Sequence, residues 1–280
     1  MIPTPSAAHV QAADGHRWQL AGCTPPQPAA TLLWLPALGV GAHHYLPFAA
    51  ALAKHGIATY LHEWRGIASS SLRAGRTGNW GWRELLELDI PASADVIRHQ
   101  HAGLPTIIGG HSLGGQLACC HAALAPASAS RLWLVASGTP YWRAFPLPHR
   151  IGLPLVYRFT PWLAERCGAL PGRRIGFGGR EARGLMHDWA RVGLSGNYAA
   201  AGIDIDLEAR LGALQLPIQA AVMDRDWMAP EPSLRALLAK LPQAQAEIAR
   251  FDSSRLGASA DHFVWMKHPQ RVADWLAAGL

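Results

Sequence analysis

The sequence predicts an α/β protein with a doubly wound, mostly parallel sheet, and three features of the chain indicate this class. Short apolar runs alternate with segments of helical pattern, which is the arrangement of consecutive strand–helix–strand units. The run at residues 31–35 is apolar almost throughout, which is typical of a parallel strand buried on both faces. A glycine-rich turn around Ser112 joins another such strand directly to a helix.

The N-terminal part of the chain predicts a hairpin followed by two strand–helix pairs. Residues 8–24 alternate loosely around Asp14-Gly15, and this pair between alternating segments indicates a hairpin that adds an antiparallel edge to the sheet. The pattern then predicts, in order, a strand at 31–35, a short helix at 47–54, a strand at 57–62 and a helix at 83–100 that restarts near Pro91.

The remaining elements predict one core interrupted by one insertion. A strand at 106–108 leads through the turn into a helix at 116–125, and a strand follows at 131–137. Residues 139–200 break the alternation, because they are dense in Pro, Arg, Gly and Trp. The alternation resumes with a strand at 218–223, a helix at 231–239, a strand at 246–251 and a helix at 269–278. We therefore predict a core domain of residues 1–138 and 201–280, with a helical cap inserted at 139–200.

Composition narrows the classes of protein to be considered. Hydrophobic residues make up 50% of the 280 residues, which is enough for a large core. No apolar run is long enough to span a membrane and no secretory signal is visible, so a cytoplasmic protein is expected. The four cysteines form no C-x-x-C motif, and neither a metal nor another cofactor is predicted. The net charge is +6, but no basic cluster is interleaved with aromatic residues, so nucleic-acid binding is not expected.

The segment Gly110-His111-Ser112-Leu113-Gly114 has the pattern of a nucleophile elbow, in which a serine lies on a sharp turn between a strand and a helix. Side chains two residues before or after the serine would collide with the strand or the helix, which explains the glycines. The following helix points its positive end at negative charge formed at the serine. The bare pattern is weak, but the strand before it and the helix after it support Ser112 as the nucleophile.

A serine nucleophile needs a base, and the base needs an acid that orients it. In chains with this elbow the order is serine, acid, histidine. Only His262 and His268, of the fourteen histidines, follow the strand that is expected to carry the acid. His268 stands directly before Pro269 at the start of the last helix, so we predict His262 as the base.

The acid is predicted in the loop after the strand at 218–223, where Asp224 and Asp226 compete. Asp226 stands four residues before Pro230, which is the usual spacing for the acid in a fold with such an elbow, and it is therefore the preferred candidate. Asp224 remains the alternative, since it also lies at the carboxyl end of this strand.

Two preorganised backbone donors are predicted to hold the oxyanion of an acyl-transfer reaction. One is the amide of Leu113, the residue after the nucleophile, and the other is the amide of Leu38, in the loop that follows the strand at 31–35. An ordinary strand-to-helix turn is the alternative interpretation of that glycine-rich loop.

Several motifs resemble those of the α/β-hydrolase superfamily. The elbow, the order of serine, aspartate and histidine, and Glu63-Trp64-Arg65-Gly66 make up the general resemblance. From about residue 10 to the C-terminus the chain also resembles a group of largely uncharacterised bacterial α/β-hydrolases, often labelled serine aminopeptidase-like. That narrower resemblance rests on Pro36-Ala37-Leu38-Gly39, Arg65-Gly66-Ile67, Tyr141-Trp142, Pro171-Gly172-Arg173-Arg174, Asp188-Trp189-Ala190 and Asp261-His262-Phe263.

The resemblance implies a serine hydrolase that acts on carboxylic esters, or related acyl compounds, through an acyl-enzyme. An amidase or an acyltransferase would use the same residues, and a non-catalytic ligand-binding protein of this fold is the alternative of a different class. A small acyl compound is the expected partner, and no oligomeric state is indicated. The chain departs from the family pattern at Ala68 and Asp261, where glycine is usual, but it keeps every predicted catalytic group.

The predicted cap contains two further features of interest. Its aromatic residues Trp142, Trp162 and Trp189 are candidates to line a substrate pocket, and plain packing is the alternative role. Between residues 140 and 193 there are nine arginines against three acidic residues, so this segment accounts for the whole net charge of +6. Such a field would steer anionic substrates or dock on an acidic surface, unless the arginines only solubilise the cap or pair with carboxylates of the core.

Overall fold

The computed structural model describes residues 4–280, which contain ten strands. They are β1 (Thr4–Gln11), β2 (Arg17–Thr24), β3 (Ala30–Leu35), β4 (Ile57–Leu61), β5 (Thr106–His111), β6 (Arg131–Val135), β7 (Leu170–Pro171), β8 (Arg180–Glu181), β9 (Ile218–Met223) and β10 (Ala246–Phe251). Eight of them form one sheet in the order β1-β2-β4-β3-β5-β6-β9-β10, and β7 pairs with β8. Strands β1 and β2 are antiparallel to each other, β2 is antiparallel to β4, and all other neighbours in the large sheet are parallel.

The helices of the described chain alternate with these strands. They are α1 (Leu46–Ala53), α2 (Trp82–Glu84), α3 (Ile90–Gln100), α4 (Leu113–Leu124), α5 (His149–Cys167), α6 (Gly172–Ile175), α7 (Arg183–Ser195), α8 (Leu207–Gly212), α9 (Glu231–Leu238), α10 (Ser253–Leu256) and α11 (Gln270–Ala278). A π-helical stretch, Leu85–Asp89, joins α2 to α3. No helix in residues 4–280 is both long and apolar enough to cross a membrane.

Two apolar layers cover the sheet, and the strand period of two explains how one strand serves both. In β3, Leu33 and Leu35 belong to the core on one face, while Leu32 and Trp34 belong to the core on the other. The first core includes side chains from α3, α4, α8 and α9, and the second includes side chains from α1 and α11. The predicted fold class, a doubly wound and mostly parallel sheet, is therefore confirmed.

The predicted elements of the core are present, and among the helices and parallel strands the largest differences from the expected bounds, three residues each, lie on the two sides of Ser112. The strand expected at 106–108 continues to His111, because Gly109 and Gly110 keep the ladder by pairing with residues of β6. The elbow helix begins at Leu113, three residues earlier than expected. The N-terminal hairpin is confirmed, since Val10 lies opposite Trp18 across β1 and β2.

Residues 139–200, the predicted cap, leave the sheet after β6 and precede β9, its neighbour in the sheet. Most of this segment consists of the two longer helices α5 and α7, which pack against each other through Tyr157 and Trp189, whose ring centroids are 4.8 Å apart. Gly193 allows this close approach, because a Cβ at this position would lie 2.7 Å from the Tyr157 ring.

Candidate active site

The turn between β5 and α4 places Ser112 in a strained backbone conformation. Its φ of 55° and ψ of −120° lie in a region that non-glycine residues rarely adopt. A Cβ on Gly110 would lie 2.3 Å from the backbone of Gly114, and one on Gly114 would lie 2.0 Å from the carbonyl oxygen of Leu35. Both glycines are therefore required by contact, and the serine side chain stands at the carboxyl edge of the sheet.

The structure brings His262 and Asp226 together from two different loops. Nδ1 of His262 lies 2.7 Å from Oδ2 of Asp226, and both side chains are buried. The other carboxylate oxygen of Asp226 accepts the backbone N–H groups of Met228 at 2.8 Å and Ala229 at 3.0 Å. These bonds hold the carboxylate still, so that it accepts the Nδ1 proton and leaves Nε2 unprotonated.

Asp224, the alternative acid, lies elsewhere. Its side chain is exposed, and within residues 4–280 its carboxylate makes neither a hydrogen bond nor an ion pair. The chain turns sharply after β9, so that Asp226 is buried beneath His262 while Asp224, two residues earlier, faces solvent. His268, the other downstream histidine, is also exposed.

Ser112 and His262 border one cavity of about 250 Å³. Nε2 of His262 is buried and has no hydrogen-bond partner among the described residues, Ser112 included. A catalytic hydrogen bond is often long in a protein without substrate and tightens in the complex, so the shared cavity is the informative observation. The described residues contain no group of three His, Cys, Asp or Glu side chains that could hold a metal ion.

The two predicted oxyanion donors belong to loops that meet at this cavity. Leu38 and Leu113 both line it, and neither amide N–H donates to another group in the described part of the chain. Leu113 is the first residue of α4, whose opening N–H groups have no partner within the helix. The positive end of α4 therefore lies at the turn that carries Ser112.

A hydrogen-bond network that sequence reasoning missed connects the elbow to the Leu38 loop. The Tyr45 hydroxyl accepts the N–H of Ala37 at 2.9 Å and lies 2.8 Å from Nδ1 of His111, the residue before Ser112. Burial, assisted by the neighbouring His262, lowers the pKa of His111 well below its usual value, so the ring is neutral and one of its tautomers can accept the tyrosine proton at Nδ1. The imidazole rings of His111 and His262 are 4.6 Å apart. No local pattern marks Tyr45, which only the packing brings to His111.

The cavity wall contains one of the three tryptophans that were expected there. Trp189 lines it, whereas Trp142 and Trp162 lie outside it. Trp162 is on the exposed side of α5, and Trp142 lies in a short turn, with the Arg143 guanidinium 4.9 Å from its ring centroid. Trp227, which the sequence analysis did not single out, also lines the cavity. Its position next to Asp226 is the only feature of the sequence that could have indicated this.

Residues of α5 form much of the cavity wall, including His149, Leu153 and Val156. The ring of His149 stacks on Trp227 at a centroid distance of 4.9 Å and an angle of 17°, which connects α5 to the loop of Asp226. The segment at 139–200 therefore contributes side chains to the cavity wall, and most of those are apolar.

Comparison with known proteins places this arrangement in context. The model of the family described as Serine aminopeptidase, S33, matches residues 26–255. A hydrolase from Pseudomonas aeruginosa PA01 is 21% identical, with a TM-score of 0.60 over 98% of this chain and 99% of that one. No curated protein matches the sequence.

Two further solved structures are similar in fold. Alpha/beta hydrolase GrgF from Penicillium sp. sh18 is 14% identical, with a TM-score of 0.63 over 99% of this chain and 96% of that one. A thermophilic esterase from Thermogutta terrifontis is 16% identical, with a TM-score of 0.61 over 98% of each chain. At these identities the likeness shows the shared fold.

Proposed function

This chain belongs to the serine aminopeptidase S33 family of α/β-hydrolases, and on that premise we propose that it cleaves carboxylic esters through an acyl-serine intermediate. The observation that supports this most is the 2.7 Å contact between His262 and Asp226, since His262 lines the same cavity that Ser112 borders. A nucleophile, a base and an orienting acid are thus available at one cavity.

The proposed reaction has two halves. In the first, the Ser112 hydroxyl oxygen attacks the ester carbonyl carbon while Nε2 of His262 takes its proton, and Asp226 stabilises the resulting imidazolium. The amides of Leu38 and Leu113 receive the oxyanion, and one such donor is worth roughly 3–4 kcal/mol of barrier. The tetrahedral intermediate collapses, and His262 protonates the departing alcohol. In the second half, water attacks the acyl carbonyl carbon while Nε2 of His262 takes its proton. The bond from the acyl carbon to the Ser112 oxygen then breaks as His262 returns the proton to that oxygen, which releases the carboxylic acid and restores the serine.

The cavity favours an acyl group that is apolar and of modest size. Its volume is about 250 Å³, and Leu153, Val156, Trp189 and Phe263 are among its lining residues. Such a wall stabilises hydrocarbon by removing it from water, but it offers no charged partner for a polar acyl chain. We therefore expect esters of neutral aliphatic acids to be preferred over esters of dicarboxylic or amino acids.

A fluorophosphonate probe, which reacts only with an activated serine, tests the assignment together with p-nitrophenyl esters of graded acyl length. The wild-type protein should take up one probe molecule on Ser112 and hydrolyse at least one ester. Ser112→Ala should lose both properties and stay folded. Ser130→Ala is the matched control, because Ser130 is exposed just before β6, at the opposite edge of the sheet.

Intact-mass and peptide mass measurements decide the outcome. A probe adduct that persists in Ser112→Ala would contradict the nucleophile assignment. Hydrolysis of no ester, together with no adduct on the wild-type protein, would favour the ligand-binding alternative. Acyl transfer to an added alcohol that outpaces hydrolysis would favour the acyltransferase.

A further inference from the structure

Helix α5 carries a row of large apolar side chains on the side that faces solvent. Ile151, Leu155, Phe159 and Trp162 are 70%, 69%, 48% and 55% exposed. Their spacing places them within an arc of about 80° at 3.6 residues per turn. The buried residues of the same helix, Tyr157, Thr160, Pro161 and Ala164, lie on the opposite side. We call the four exposed residues the α5 stripe.

The α5 stripe is not explained by the packing of this chain. Single exposed apolar residues are normal on a protein surface, but a contiguous row marks a surface that interacts with something else. Seven of the twelve large apolar residues that are exposed in the described part of the chain lie within residues 139–200. The exposed apolar surface is therefore concentrated on the predicted cap.

The charges around the α5 stripe indicate an anionic partner. Arg158 and Arg166 lie beside the stripe on the same helix, are exposed, and have no carboxylate partner in residues 4–280. The cap arginines that do form ion pairs, Arg183 and Arg191, pair within the cap, so no described carboxylate of the core pairs with a cap arginine. Two copies joined through the stripe would bring like charges together, which disfavours self-association.

The stripe is also continuous with the active-site cavity. Val156, on the next turn of α5 after Gly152, is 38% exposed and contributes both to the cavity wall and to a shallow surface depression beside Leu155 and Phe159. An apolar molecule that reaches the stripe thus has apolar surface to follow from the outside of the cap to the cavity that Ser112 borders.

We propose that the α5 stripe docks on an anionic lipid bilayer and that lipid-soluble esters enter the cavity from the bilayer past Val156. A helix with protruding aliphatic and aromatic side chains, flanked by arginines, lies in the bilayer interface with its apolar side among the acyl chains and its guanidinium groups at anionic headgroups. The delivery of substrate rests on the proposed esterase function, whereas the docking does not depend on it.

Vesicle flotation measures the docking with the full-length protein. The vesicles contain either phosphatidylcholine alone or an equal mixture of phosphatidylcholine and phosphatidylglycerol. The wild-type protein should float with the anionic vesicles at low salt, and high salt should release most of it because headgroup attraction is screened. Leu155→Ser combined with Phe159→Ser should lower the partition coefficient at least about tenfold, since both side chains would leave the acyl region.

A matched control removes exposed apolar residues from the core domain. Leu46→Ser combined with Ile205→Ser changes side chains that are 39% and 45% exposed and lie outside the cap, so binding to anionic vesicles should be retained. Neither Leu155 nor Phe159 lines the cavity, so hydrolysis of a short, water-soluble ester should stay within about twofold of wild type in the test variant. Hydrolysis of an ester dissolved in the anionic vesicles should fall with binding.

The outcomes separate the docking from the proposed activity. Ester hydrolysis in solution without flotation of the wild-type protein would overturn the docking and leave the esterase function standing. Flotation without any ester hydrolysis would overturn the esterase function and leave the docking standing. Equal flotation of the wild type and the stripe variant would also overturn the proposal, as would a concentration-dependent dimer that the stripe substitutions abolish.

Discussion

Replacement of Asp226 by asparagine tests the geometry of the candidate site most directly. Oδ1 of Asp226 accepts two backbone N–H groups, while Oδ2 accepts the proton on Nδ1 of His262. In Asp226→Asn the amide oxygen can keep the two backbone bonds only if its NH₂ group faces the imidazole. A donor then faces Nδ1, so the histidine moves its proton to Nε2 and can no longer accept the proton of Ser112.

The expected loss is large because the wrong tautomer removes the base. In a different serine hydrolase, the same exchange of the orienting aspartate lowers kcat by about 10⁴, which corresponds to about 5.4 kcal/mol of barrier. The fold should be little affected, since the two side chains have the same shape and the backbone contacts of Asp226 are kept. Asp224→Asn, at an exposed side chain, should leave kcat within about twofold of wild type.

Steady-state hydrolysis of the best p-nitrophenyl ester, with circular dichroism to verify folding, measures both variants. The ratio of their kcat values is the decisive quantity, because both lose one carboxylate from the same loop. A larger loss in Asp224→Asn than in Asp226→Asn would refute the assignment drawn from the structure. So would an Asp226→Asn variant that keeps more than about a tenth of the wild-type kcat.

Two other perturbations probe buried groups near the site, and urea denaturation measures both. Tyr45→Phe leaves Ala37 N–H and Nδ1 of His111 unpaired, so the free energy of unfolding should fall by about 1–3 kcal/mol for each buried group, and kcat should fall as well. A decrease in the free energy of unfolding below about 0.5 kcal/mol would contradict the network. Burial raises the pKa of Glu181 from 4.5 to about 7, so the folded state binds this proton more tightly than the unfolded state and stability should fall as pH rises between these values. Glu181→Gln, which still accepts the N–H of Gly179, should remove this pH dependence, and above pH 7 its free energy of unfolding should exceed that of the wild type by about 3 kcal/mol. A variant whose stability depends on pH as steeply as that of the wild type would contradict this role of Glu181.

The sequence determined the elements whose signals are local. Continuous apolar runs predicted the parallel strands, and the structure contains them. Other elements cover both faces of such a strand, so its side chains are apolar at nearly every position. The elbow was visible in the sequence because the close contacts at Gly110 and Gly114 leave no room for a side chain, so both positions have to be glycine. Chain order alone reduced fourteen histidines to two.

Other features depend on contacts between distant segments, and only the tertiary structure decided them. Asp224 and Asp226 are alike in type and two residues apart, and burial against His262 distinguishes them. Tyr45 and His111 are 66 residues apart, and no local pattern records their hydrogen bond. The side of α5 that faces solvent was equally hidden, since its apolar spacing is that of an ordinary buried helix face. Local chemistry can be read along the chain, whereas partner choice and exposure are properties of the packed molecule.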